Sequence, residues 1–149
     1  MSSHGQGRET LLPEIVLKRA VETPYRMAYG ILGADLECRL IKHAELAGRA
    51  QMLAKVLRER LDPGERVLVI CPPGADFIAS FFGVLSAGCV AVPAHPPING
   101  RLLSKLDALV ADSTPGAVIC VNVQLPALRR LKGRGSRLAA LTPEVDMDE

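Results

Sequence analysis

Between Val67 and Pro97 the chain leaves little freedom in how it folds. Val67-Leu-Val-Ile70 is a continuous apolar run, as expected for a short strand covered on both faces. Pro72-Pro73-Gly74 then turns the chain into a predicted helix, Ala75–Ala87. That helix carries Phe77, Ile78, Phe81, Phe82, Val84 and Leu85 and is apolar nearly all round, so it should be buried or should cover a partner. Gly88 stops it, Cys89–Val92 reads as the next strand, and Pro93 leads out of the sheet. Strand, helix, strand in this order predicts a right-handed βαβ unit and a parallel sheet.

The rest of the chain is consistent with this. Thr10 is placed to cap a first helix, with Pro13 in its first turn and Leu12, Ile15, Val16 and Ala20 on one face; Thr23-Pro24 ends it. Met27–Leu32 and Leu36–Ile41 read as the strands of a hairpin joined through Gly33-Ala34-Asp35. From His43 to about Leu61, residues Leu46, Ala50, Leu53, Ala54, Leu57 and Leu61 form an apolar stripe at helical spacing, with Glu45 and Arg49 as an i,i+4 pair on the wet side. Asp62-Pro63-Gly64 is a turn. After an irregular Ala94–Gly100, Arg101–Ala111 is a predicted helix, Ala117–Val121 a third parallel strand, and Pro126–Leu131 a short helix. The organisation expected is a flexible N-terminus at 1–9, an incomplete subdomain at 10–131, and a disordered charged tail at 132–149 that includes the acidic end Glu144–Glu149.

Composition narrows the function. With 48% hydrophobic and 23% charged residues, 149 residues suit one globular domain. Two Tyr, three Phe and no Trp make a base-stacking surface hard to build, and a formal net charge of +2 does not point to nucleic acid or an anionic membrane. A signal peptide is not expected, because the N-terminal Met-Ser-Ser-His-Gly-Gln-Gly-Arg-Glu lacks an apolar run, nor is a membrane span, because the apolar region Phe77–Val92 is broken by Ser80, Gly83, Ser86 and Gly88; the chain reads as cytoplasmic. Cys38, Cys71, Cys89 and Cys120 lack metal-ligand spacing and read as reduced, buried thiols acting as small hydrophobes.

Few residues offer chemistry. The patterns G-x-G-x-x-G and G-x-x-x-x-G-K-[ST] are absent from the sequence. Pro72-Pro73-Gly74 sits where helix amides meet anions, but its two prolines remove donors, so it reads as a structural turn. His95, in Pro93-Ala-His-Pro-Pro97, falls just past the carboxyl end of a strand, where parallel sheets place ligands; without a sequence-linked nucleophile it reads as structural. His43 begins a helix and His4 lies in the tail. Arg129, Arg130, Lys132, Arg134 and Arg137 put five cations in nine residues, either a solvated tail or a surface for an anionic partner.

The same central stretch resembles the N-terminal signature of fatty acyl-AMP ligases. Pro72-Pro73-Gly74 before the helix, Ala87-Gly88 with Pro93 after it, and Val92-Pro-Ala-His-Pro-Pro97 carry the likeness. Leu40-Ile-Lys-His-Ala-Glu-Leu46, Asp62-Pro-Gly-Glu-Arg-Val67 and Arg101-Leu-Leu-Ser-Lys-Leu106 are similar to the family's surrounding elements, and the resemblance spans about Leu11 to Val121. It implies an α/β fold: a partial parallel (βαβ) sheet flanked by helices, part of the N-terminal domain of an adenylate-forming enzyme.

The family reaction it implies needs ATP and magnesium. A fatty acid attacks ATP to give acyl-AMP and pyrophosphate, and the acyl group passes to the phosphopantetheine thiol of an acyl carrier protein or polyketide synthase. The family's Ser/Thr/Gly-rich phosphate loop, ribose-binding aspartate and C-terminal lysine match no motif in residues 1–149, and His95 replaces the family's usual aromatic. No catalytic, cofactor-binding or metal residue is therefore assigned, no cofactor is expected to be held by these residues, and the chain alone is expected to be inactive. It is read as a split-gene fragment or a relic, with the remainder of a ligase as partner. The alternative is a non-catalytic module binding a ligase, carrier protein or synthase. A small nucleotide-binding α/β protein of another family is a third reading, disfavoured by the absent phosphate loops. Self-association through exposed apolar surface is expected.

Overall fold

The computed structural model describes residues 10–121 and 144–146. Its elements run α1 (Leu12–Glu22), β1 (Met27–Leu32), β2 (Cys38–Lys42), α2 (His43–Arg58), β3 (Arg66–Ile70), α3 (Ala75–Ser86), β4 (Val90–Pro93), α4 (Gly100–Ser113), β5 (Ala117–Cys120) and β6 (Glu144–Asp146). β1 and β2 form an antiparallel hairpin, and the other four strands form a parallel sheet in the order β4-β3-β5-β6.

Alternation along β3 and β5 explains why both strands are apolar throughout. Val67, Val69, Ala117 and Ile119 face one side, where Leu53, Ala54 and Leu57 of α2 and Val84 of α3 cover them. Leu68, Ile70, Val118 and Cys120 face the other side, under Leu106 and Val110 of α4. The chain steps from β3 to β4 in one direction and returns past β3 to β5. Two crossovers of the same hand must then place their helices on opposite faces, as α3 and α4 are.

α3 resolves the question posed by its apolar sequence. Ala79, Ser80, Gly83 and Val84 are buried, and the Phe side chains are half-buried. Phe77 and Phe81 stack with ring centroids 6.3 Å apart, and Phe82 meets Phe81 edge-on at 5.9 Å. Phe82 and Ile78 also pack toward a third cluster, formed by Ile41, Leu46 and Ala79 beneath the hairpin. The helix is thus shared between sheet, α2 and hairpin.

Several local expectations change. The cap of α1 is Leu11 rather than Thr10, with the Glu14 carboxylate accepting from the Leu11 N–H at 3.2 Å. β2 starts at Cys38 because Gly33–Glu37 forms a wider turn, closed by Gly33 N–H to the Glu37 carbonyl at 2.8 Å, with Leu36 at φ 65°. Glu45 pairs with Arg39 at 3.3 Å and Arg49 pairs with Asp76, in place of the expected Glu45–Arg49 pair; both arginines reach across elements rather than along α2. α4 starts one residue earlier, because the Asn99 side chain accepts from the Leu102 N–H at 2.9 Å.

Residues 144–146 pair with β5 as Val118↔Glu144, Ile119↔Val145 and Cys120↔Asp146. Strand addition to an open edge is driven by backbone hydrogen bonds, so acidic composition does not forbid it. The predicted helix at 126–131, the basic run Arg129–Arg137 and the N-terminal residues 1–9 lie outside the described residues.

Arg66, the first residue of β3, ties the sheet to the C-terminal end of α4. Its guanidinium donates to the Ser113 carbonyl and, at 2.9 Å, to Thr114 Oγ1, at the negative end of α4 where Thr114 is left-handed at φ 41°. Arg66→Ala should cost about 1 kcal/mol in urea unfolding and fray the last turn of α4, seen as faster amide exchange at Asp112 and Ser113.

Candidate functional site

The parallel sheet points its carboxyl ends at the loops Cys71–Gly74 and Ala94–Asn99. Ligands of open α/β sheets lie at this edge. A shallow apolar concavity of about 220 Å³ opens there, lined by Pro73, Phe77, Pro93, Ala94 and His95. It is smaller than the roughly 300–1,000 Å³ of typical small-molecule sites. The sequence expectation placed His95 beside this edge, and the structure does put it there, with an exposed side chain.

The anion-binding alternative for Pro72-Pro73-Gly74 fails on geometry and charge. Gly74 is the N-cap of α3, so this helix end is the one that would receive a phosphate. Asp76, however, sits in the first turn and already places a carboxylate at the positive end of the helix, where Arg49 of α2 pairs with it. The two prolines supply no N–H groups. This helix end is already neutralised from within the chain, and its arrangement does not fit a phosphate. Sequence reading missed the Arg49–Asp76 pair; the only visible signal was Asp76 two residues after the capping Gly74, in the first turn of α3.

Of the other histidines, His43 is the first residue of α2 and its N–H donates to the Arg26 carbonyl at 3.0 Å; His4 is outside the described residues. Among the described residues no group of three or more His, Cys, Asp or Glu is placed to hold a metal ion, and no helix is long and apolar enough to cross a membrane.

The cysteines divide. Cys71, Cys89 and Cys120 are buried, and Cys38 is exposed, which corrects the expectation that all four are buried. Cys38 lies on a two-stranded hairpin with one face open, whereas the other three belong to the sheet or its approach. Burial pushes the Cys89 thiol up, and the nearby Glu65 carboxylate adds to the rise. A thiol reagent should therefore modify one cysteine rapidly in the folded protein and all four after unfolding. Stability should also fall at alkaline pH. The unfolded Cys89 ionises in the ordinary thiol range while the folded one stays neutral, so its contribution is complete below that range and is lost as pH rises through the folded value.

The described residues form an open parallel α/β sheet with helices on both faces, whose loops converge at one carboxyl edge. Comparison with known proteins makes this specific. The AMP-binding enzyme family model matches residues 18–148. The medium-chain-fatty-acid–[acyl-carrier-protein] ligase JamA of Moorena producens is 37% identical over 98 residues, 63% of this chain and 17% of that protein. The crystal structure of a fatty acid AMP ligase from Legionella pneumophila superimposes with a TM-score of 0.79 at 28% identity, covering 91% of this chain and 23% of that one. The N-terminal domain of FACL13 from Mycobacterium tuberculosis shares the fold, with a TM-score of 0.71 at 24% identity, over 91% of this chain and 33% of that one. The chain belongs to the AMP-binding enzyme family and is similar to the N-terminal portion of its fatty acyl-AMP ligases. It spans about a fifth of the length of these ligases.

Proposed function

We propose that this chain supplies the N-terminal part of a fatty acyl-AMP ligase. The observation that carries this reading is the superposition on the Legionella pneumophila fatty acid AMP ligase over 91% of the chain, at a TM-score of 0.79. The reaction is activation of a fatty acid by ATP, with magnesium, to give acyl-AMP and pyrophosphate. Transfer of the acyl group to the thiol of a carrier protein or polyketide synthase follows. Carrier-protein transfer is favoured by the likeness to the Moorena producens acyl-carrier-protein ligase.

The part played by residues 1–149 is that of a scaffold. The apolar edge at Phe77, Pro93 and His95 forms a wall, and Asp76 with Arg49 closes the N-terminus of α3 to a phosphate. None of these residues is given a catalytic, cofactor or metal role. A polypeptide of residues 1–149 is therefore inactive in acyl-adenylate formation by itself, acts in the cytoplasm, and works with the remainder of a ligase. The test is fatty-acid-dependent ATP–pyrophosphate exchange by this polypeptide alone and with the remaining portion of a fatty acyl-AMP ligase.

A second reading, a non-catalytic module that binds a ligase, carrier protein or synthase, is favoured by the exposed Leu32, Leu36 and Leu40 of the hairpin region. Retention of such a protein by the immobilised chain, with no exchange in either assay, would select this reading over the first.

A further inference from the structure

Residues 12–42 are held to the rest of the molecule by little. Ile41, 1% exposed, is the one buried residue among them. α1 buries none of its residues; Val16 and Ala20 are half-buried. By contrast, every residue from Val67 to Cys71 and from Ala117 to Val121 is buried.

The attachment is one apolar seam and a few polar ties. Ile41, with Val16, Ala28 and Ile31 around it, rests on Leu46 and Ala79. The hairpin forms a sheet of its own, separate from the parallel sheet. Among the described residues, two backbone hydrogen bonds cross to the rest of the chain, both at the first turn of α2. The His43 N–H donates to the Arg26 carbonyl at 3.0 Å, and the Ala44 N–H donates to the Pro24 carbonyl at 3.1 Å. The Arg39–Glu45 pair lies at the surface, where an ion pair contributes little.

Neither α1 nor the hairpin can keep its shape once the seam parts. α1 has 11 residues, short of the roughly 12–15 at which an isolated helix becomes even marginally stable. A lone two-stranded hairpin is marginal in water. This one also carries Gly30 within β1 and a register shift between Met27 and Tyr29. Release is therefore loss of structure, hinged at Lys42–His43, where β2 runs directly into α2. What stays behind does not need the released part. The clusters on the two faces of the parallel sheet contain no residue from 12–42.

We propose that α1 and the β1–β2 hairpin form a releasable strap. It unfolds as one unit from the α2–α3 face while the sheet and its helices remain folded. Opening bares Leu46 of α2 and Ile78, Ala79 and Phe82 of α3, the apolar residues that the strap covers. The inference is independent of the ligase reading.

The test is amide hydrogen exchange of residues 1–149, followed by NMR over a series of urea concentrations below the unfolding transition. The hydrogen-bonded amides of α1 and the hairpin should share one protection factor, roughly a hundredfold below that of β3 and β5. Their urea dependence should be shallower, because opening the strap exposes less surface than global unfolding. Leu106→Ala, beneath α4, separates the two events. Leu106 makes the same contacts whether the strap is closed or open. The variant should lower protection in β3 and β5 roughly thirtyfold or more and leave that of the strap unchanged. The wild-type urea series decides by itself if Leu106→Ala does not fold. Strap and sheet amides with a single protection factor and a single urea slope overturn the proposal. So do strap amides that exchange independently of one another, or a Leu106→Ala variant that lowers both sets by the same factor.

Discussion

Gly83→Val is expected to destabilise the protein by about 3 kcal/mol, the upper end of ordinary overpacking costs. Gly83 is buried on the face of α3 that meets α2. A Cβ there would lie 2.7 Å from Leu53 Cδ2 and 3.0 Å from Leu53 Cβ, and Leu53 is itself only 4% exposed and packed into the core. Its Cβ is fixed to the α2 backbone, so relief requires the two helices to separate, and α2 holds the inner side of the sheet. Gly83→Ala should cost less, about 1–2 kcal/mol, because alanine recovers roughly 1 kcal/mol of helix propensity against the clash. Gly48 is the control within the same pair of helices: nothing lies within 4 Å of its Cβ position, so Gly48→Ala should stabilise by about 0.5–1 kcal/mol. Leu53→Ala should cost less in the Gly83→Ala background than in the wild type. Urea unfolding of the four variants and the double mutant decides this, and equal effects at the two glycines would show that the helices are not in close contact at Gly83.

Much of this architecture is legible in the sequence, for identifiable reasons. The strand β3 is visible because both faces of its sheet are covered, which makes Val67–Ile70 continuously apolar. Gly88, at φ 79°, is visible as a helix stop because only glycine takes that conformation cheaply. The stripe of α2 emerges at helical spacing since one face alone is buried.

What escaped sequence reading depends on three-dimensional neighbours. Arg49 and Asp76 are distant in sequence and meet only once α2 lies against α3. The exposure of Cys38 follows from the open outer face of the hairpin, which strand alternation alone does not reveal. The pairing of Glu144–Asp146 with β5 is a matter of backbone edges, to which side-chain composition is nearly blind. The candidate edge was legible in outline only. His95 could be placed beside the carboxyl ends of the strands, but the apolar concavity with Phe77 and Pro73 is a product of the fold.

The second large effect concerns activity and is all-or-none. The N-terminus of α3 beside the concavity already holds the Asp76 carboxylate, paired with Arg49, the loop before it contributes two prolines, and the family's phosphate loop matches no motif in residues 1–149. Residues 1–149 should therefore give no ATP–pyrophosphate exchange above background with fatty acids of any length. The same polypeptide combined with, or continued into, the remaining portion of a fatty acyl-AMP ligase should exchange pyrophosphate in a fatty-acid-dependent manner. That comparison is the most direct test of the account. Exchange that appears only with the longer or complemented chain is the predicted result. Exchange by residues 1–149 alone, or none even with the remaining ligase portion present, would contradict it.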